Sequence, residues 1–222
     1  MSIKAAETSL KILEAALELF RQEGFEKATM RDIAKRAGVA TGAAYYYYPS
    51  KEALVADFYA QSCEKMQPAI ESALGGAKGL EAQLRELIQV KLNHFAPNRA
   101  VLRALLRNGV DPSHPLSPFS VQTKAIRDLD IAWFRRILLN GGVTIPADLK
   151  ADLPGVLWFY QMGVIFFWLL DESPGQAHTQ RLLELSAKNV VGLIRLSSLP
   201  LLRPLRRTAL ELIGLVKEAR AW

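Results

Sequence analysis

Cysteine is almost absent from this chain. One thiol, Cys63, stands among 222 residues, which excludes an intramolecular disulfide and a cysteine-rich zinc site and fits a reducing cytoplasm. Histidine is nearly as scarce: His94, His114 and His178 are isolated from one another in sequence. No His-Glu-x-x-His pattern and no glycine-rich phosphate loop occurs. Asp128 and Asp130, two apart, point away from each other on a helix and make a poor carboxylate pair. No catalytic residue, metal or cofactor is therefore expected. A bilayer span is missing too. The segment "VLWFYQMGVIFFWLL" has 15 residues, contains Gln161 and is flanked by Asp152 and Asp171, whereas a crossing needs about 20 apolar residues. It reads as a buried core or interface helix, with no membrane partner. Glu7, Glu14 and Glu18 interrupt the N-terminal apolar pattern, which makes it an amphipathic helix rather than a signal peptide.

Sustained apolar/polar alternation is also lacking, while apolar residues recur at three- and four-residue steps nearly throughout. The fold class expected is all-α. Ile12, Leu13, Ala16, Leu17 and Phe20 form one stripe that Gly24 ends. Thr29 is a good N-cap, Asp32 complements it three residues on, and Gly38 closes that short helix. A second short helix begins near Thr41 and stops at Pro49, and Ser50 caps a longer one reaching to about residue 73. Gly and Pro clusters at 75–79, 96–98, 109–118, 140–146, 172–175 and 199–204 divide the remainder into five or six helices. No internal repeat or low-complexity linker appears. The net charge of +6 at a pI near 9.5 is compatible with a polyanionic partner, but the basic residues are spread, so local placement has to decide.

Two short helices joined by a tight glycine-containing turn, after a longer first helix, describe a helix-turn-helix. Ile33, Ala34 and Ala37 share the inward face of the first short helix, leaving Arg31 and Lys35 together outside. In the second, "TGAAYYYY", Ala44 and Tyr48 share a buried face with Val39. Gly42 and Tyr46 then face away, Ala43 and Tyr45 lie on the shoulders, and Thr41 and Tyr47 sit at the edges. Exposed aromatic pairs usually signal an interface.

The linked pieces "AALELF" and "GF", then "T-x-R-D-I-A-x-x-A-G-V", then "G-x-x-Y-x-Y-Y-x-S-K-E-x-L", over about residues 8–55, strongly resemble the N-terminal domain of the tetracycline-repressor (TetR) family of bacterial transcription regulators. The resemblance implies a helix-turn-helix DNA-binding domain over 1–50 and a helical ligand-binding and dimerisation domain over 51–222. It implies a phosphate contact for Thr29 and a base contact for Arg31. Thr41, Gly42 and Ala43 would present the start of the recognition helix to the groove. Tyr45 and Tyr46 would touch bases or the sugar-phosphate edge, and Tyr47 and Lys51 would hold phosphates. Ala43 and Ala44 depart from the Thr and Leu common in the family, and Tyr46 from a common His. Small residues there favour thymine-methyl contact or shape readout.

The same resemblance implies a homodimer on a double-stranded palindromic operator, with half-sites ~34 Å apart or a multiple of it, and a small hydrophobic effector. Candidate lining residues are the large side chains Phe95, Phe119, Trp133, Phe134, Trp158, Met162 and Phe166. The helix at 156–170 and the next, 179–199, are the expected dimer interface, with Gly163 and Gly192 permitting close approach. In the tail, Leu205, Ala209, Leu212, Ile213 and Val216 form a stripe expected to dock a terminal helix. A body that serves only protein contacts, without an inducer, is the alternative.

Overall fold

The computed structural model describes residues 3–109 and 111–218. Among them are α-helices and short 3-10 turns with no strand. α1 (Ile3–Glu23), α2 (Met30–Ala37) and α3 (Thr41–Tyr47) form the N-terminal unit, and α4 (Lys51–Gly76) leads from it into the body. The body follows as α5 (Gly79–Phe95), α6 (Arg99–Gly109), α7 (Lys124–Asn140), α8 (Leu153–Leu170), α9 (Ala177–Ser197) and α10 (Arg203–Glu218).

The local signals act as their chemistry requires. Thr29 Oγ1 accepts from the Asp32 amide at 3.2 Å, and Ser50 Oγ accepts from the Ala53 amide at 3.3 Å. Gly38 takes φ 69° and donates to the Ala34 and Lys35 carbonyls, a left-handed cap that a Cβ would strain. α4 continues three residues beyond its expected end and carries Pro68 within it. It spans 26 residues, about 39 Å at 1.5 Å per residue.

α5 is the central element of the body. Leu80, Leu84, Leu87 and Ile88 are all fully buried, and the helix packs against α4, α7, α8 and α9. At its start Leu80 meets the end of α7 so closely that a Cβ on Gly141 would stand 2.7 Å from both the Ile137 carbonyl oxygen and Leu80 Cβ. Only glycine fits that approach. α8 is long and apolar enough to cross a membrane by length and composition alone. In the fold it packs on α5, α6, α7 and α9, which bury Leu157, Trp158, Val164 and Trp168.

The C-terminus of α8 is tied to two neighbours. Arg99 of α6 donates to the Trp168 carbonyl through Nε at 3.0 Å and Nη2 at 2.8 Å, and also to the Asp171 carbonyl, placing a cation at the negative end of the helix. The buried Asp171 carboxylate accepts from the Ser173 amide and hydroxyl at 2.9 and 2.6 Å, and from the Thr179 amide and hydroxyl at 2.8 and 2.7 Å. Burial alone would raise this carboxyl, but the four hydrogen bonds together hold it well below the usual carboxylate range.

The tail differs from its expected docking. Leu205 and Leu212 are 67% and 58% exposed, Ala209 is exposed too, and Ile213 is half-buried; the Val216 side chain lies outside the described residues. α10 is held instead through Arg206, which donates to Asp148 at 2.8 Å and to the Ser197 carbonyl at 2.7 Å. A charged anchor turns the apolar stripe outward.

Asp171→Asn should lower the thermal midpoint at pH 7, because the amide is uncharged and can accept through only one side-chain oxygen. Asp171 has a depressed folded pKa, so its contribution is present above the unfolded value of about 3.9. It is lost as pH falls through the lower folded value, and the gap between wild type and variant should close in acid melting experiments.

Candidate DNA-reading head and the cavity behind it

The N-terminal unit is built around Ile12, Ala16, Phe20, Phe25, Ile33 and Ala44, all buried. Packing these positions fixes what remains outside. Arg31 and Lys35 of α2 are exposed, and neither makes an ion pair among the described residues. Arg36, on the next position round, is instead held by Glu18 at 2.9 Å and Gln22 at 3.1 Å. Thr29 is exposed, and its hydroxyl lies 2.5 Å from Asp32 Oδ2.

On α3 Tyr46 and Tyr48 fall outside and inside as their angular spacing demands, but Tyr47, expected to be exposed with Tyr46, is the more covered ring, and Tyr45, expected on the shoulder, is the more open one. Tyr46 is 84% exposed and Tyr45 51%, while Tyr47 is half-buried and Tyr48 only 5% exposed. Tyr46 and Tyr47 meet edge to face at 5.3 Å, which gives the exposed rings a defined orientation. Thr41 and Gly42 are exposed beside them, and Ala43 is half-buried. The face therefore carries hydroxyls, rings and one free guanidinium.

Tyr48 does more than fill the core. Its hydroxyl lies 2.5 Å from Asp57 Oδ2 on α4 and 2.7 Å from Ser9 Oγ on α1, so one phenol joins three helices. Burial, and then the bond to Asp57, push its pKa up to about 12. Lys51 makes a second tie: Nζ donates to the Phe25 carbonyl at 2.6 Å and the Glu26 carbonyl at 3.3 Å, and stands 4.6 Å from the Phe25 ring centroid. Two of its three N–H groups are thereby engaged in the turn between α1 and α2, leaving one directed elsewhere.

Along α4, Tyr59, Cys63 and Met66 reach a cavity of ≈ 150 Å³ in the body. Of the large side chains singled out in the sequence, Phe95, Trp158, Met162 and Phe166 line it. Trp133 lies on a neighbouring hollow of ≈ 280 Å³ that shares Cys63, Met66, Lys91 and Asp130 with the first. Phe119 is not in the lining; it meets Trp158 edge to face and stacks on Phe159, both at 5.5 Å. Phe134 is fully buried under the ammonium of Lys91, 5.1 Å from its ring centroid.

Polar residues of this cavity were not singled out in the sequence. Lys91 of α5, 2% exposed, pairs with Asp130 of α7 and also donates to Gln161 of α8, whose amide donates to Asp130 at 2.7 Å. Arg127 is buried in the same wall. The available signal was a lysine inside the apolar stripe of α5, between Ile88 and Leu92. Burial drives the Tyr59 hydroxyl up to about 12 and the Cys63 thiol up to about 11.

Residues 12–58 match the family described as bacterial regulatory proteins of the tetR family, and residues 83–212 match the tetracyclin repressor-like C-terminal domain. The chain belongs to the TetR family. The HTH-type transcriptional regulator UidR of Escherichia coli K12 is 26% identical over 169 residues, covering 68% of this chain and 86% of that one. Two solved structures share the fold at lower identity. The TetR regulator of Nitrosomonas europaea superposes with a TM-score of 0.62 at 20% identity, covering 81% of this chain and 95% of the other. The fatty acid degradation regulator FadR of Bacillus halodurans gives 0.66 at 17%, covering 85% and 96%. This TetR-family chain is a DNA-binding helix-turn-helix transcriptional regulator, and its family is one of regulators rather than enzymes.

Tyr48→Phe should destabilise this TetR-family protein by about 1–2 kcal/mol in denaturant unfolding. The fold favours the neutral phenol, so the difference is fully present below the unfolded pKa of 10.0 and is lost as pH rises through the folded value of about 12.

Proposed function

We propose that this regulator is a cytoplasmic, homodimeric repressor that binds a palindromic operator and is released from it by a small apolar ligand held in the cavity of the body. The observation that carries this reading is α4. One helix is fixed to the reading head by Tyr48–Asp57 and Lys51, and its own Tyr59, Cys63 and Met66 border the cavity. A ligand that binds one orientation of α4 more tightly than the other shifts the spacing of two heads in a dimer; equal affinity for both would shift nothing. We divide the chain functionally at residue 50, with DNA binding before it and ligand binding and dimerisation after.

In this reading Arg31 reads a base edge and Thr29 holds a phosphate. Thr41, Gly42 and Ala43 face the groove, while Tyr45, Tyr46 and Tyr47 contact bases or backbone, and the remaining N–H of Lys51 reaches a phosphate. The pairing face is formed by α8 and α9, where Gly163 is exposed beside Phe167 (41% exposed) and Leu170 (57%). Leu193 and Leu196 continue that apolar face on α9 at 67% and 49% exposure. An apolar surface of this kind is what a subunit partner covers. The competing reading, a body with protein contacts and no inducer, does not account for a cavity bordered by the helix that carries the head.

Selection of binding sites from random DNA should return an inverted repeat. On it, Arg31→Ala should cost about 1–3 kcal/mol and relax preference at one base pair per half-site. Equal weakening on every sequence would remove Arg31 from base readout. Lys51→Ala should weaken all sequences alike and reduce the slope of log affinity against log salt by about 1 per head. An unchanged slope would leave Lys51 with its structural role alone.

A further inference from the structure

Among the buried cations of the body, Arg127 stands apart. It is 5% exposed and makes no ion pair among the described residues. Its Nη1 donates to the Pro118 carbonyl at 2.6 Å and the Ser120 carbonyl at 3.1 Å. A guanidinium has five N–H groups, and neither Nε nor Nη2 meets an acceptor among the described residues. The carboxylates nearest in sequence are committed elsewhere: Asp128 bonds Lys124 at 2.5 Å on the surface, and Asp130 is shared by Lys91 and Gln161. Lys91 thus has a carboxylate in contact, and among the described residues Arg127 does not.

Arg127 lines the cavity beneath α4, its guanidinium carbon 5.8 Å from the ring centroid of Trp158. Leu102, Leu105, Leu106, Ile126 and Ile165 supply apolar wall around it. Taking a charge out of water without a partner is unfavourable by several kcal/mol. The unused Nε and Nη2 lie along one edge of the guanidinium plane, and a planar carboxylate accepts both in parallel. Burial lowers the pKa of Arg127 from its ordinary value, yet a guanidinium keeps its charge in proteins. Asp128 acts on it only from a distance, and no carboxylate among the described residues contacts it, so the wall presents a positive charge without a contacting partner in largely apolar surroundings.

We infer that the ligand of this cavity is a small monocarboxylic acid, its carboxylate paired with Nε and Nη2 of Arg127 and its apolar body lying against Leu102, Leu106 and Ile165. This rests on the reading of the cavity as the effector site and replaces a purely hydrophobic effector with an amphipathic one. Size limits the class further. Apolar cavities of about 150 Å³ hold a benzene-sized molecule, so the acid has one ring or a chain of similar bulk. Bound there, it would join α7 and the loop before it to Tyr59 and Cys63 of α4.

Calorimetric titration of the full-length protein with matched pairs tests this: phenylacetate against phenylacetamide, and hexanoate against hexanamide. At least one acid should bind about tenfold or more tightly than its amide at neutral pH. In Arg127→Gln that preference should vanish, and in Leu106→Trp, which fills the cavity and leaves Arg127 in place, acid binding should be lost. Should Arg127→Gln fail to fold, the wild-type pairs and Leu106→Trp still decide the matter. Amides that bind as tightly as acids, acid preference that survives in Arg127→Gln, acid binding that survives in Leu106→Trp, or no binding of any acid at about 10 mM would each overturn the inference. DNA release separates the two readings. A neutral compound that binds here and releases the operator keeps the effector site and overturns the carboxylate; an acid that binds through Arg127 without releasing DNA supports the carboxylate site and overturns the effector role.

Discussion

The hydroxyl of Tyr48 is the point on which the two halves of this molecule depend. It takes the last position before the chain turns at Pro49, faces inward because Ala44 does, and finds Ser9 on one side and Asp57 on the other. A phenylalanine there would bury the same ring. It would not join α1 and α3 to the helix that leaves the domain. With Lys51 bound to the carbonyls of Phe25 and Glu26, α4 starts from two polar ties, and so the reading head has little freedom to turn independently of it. An apolar contact alone would leave rotation about the α4 axis far less restricted, since such contacts are not directional.

Further along, the body uses buried polarity for the same purpose. Lys91, Asp130 and Gln161 bind α5, α7 and α8 to one another inside an otherwise apolar core. Burying an ion pair is weak evidence for added stability, but removing one partner costs about 3–5 kcal/mol. The network therefore penalises any arrangement that separates those three helices. Asp171 and Arg99 do the equivalent at the far end of α8. Between these polar ties α4 borders the cavity with Tyr59, Cys63 and Met66.

Legibility in the sequence followed the range of each interaction. Thr29, Gly38 and Ser50 announce helix ends because a cap bonds within three or four residues of itself. Helical geometry assigns Tyr46 outward and Tyr48 inward, whereas the degrees of exposure of Tyr45 and Tyr47 at the flanks are set by what packs beside them. Lys51 shows the limit of that logic. Its place at the start of α4 is local, but its bonds to Phe25 and Glu26 span 26 and 25 residues, and no local rule reports them. Large side chains were a partial guide to the cavity. Trp158 and Phe166 line it, whereas Phe134, equally large, is buried beside Lys91; size records burial and not which side of a helix faces a void.

By itself the sequence determined an all-helical chain, the helix-turn-helix with its outward Arg31 and Tyr46, and the resemblance of its linked motifs to one family. The first two rest on spacing within a few residues, and the family on the likeness of motifs linked over about residues 8–55. Only the tertiary structure decided that Arg127 meets no carboxylate among the described residues while Lys91 meets Asp130, that the tail is held by Arg206 with its leucines outward, and that one helix spans head and cavity. Those outcomes depend on which side chains from distant segments meet, and charge compensation in a buried site is fixed by that meeting rather than by any neighbour in the chain.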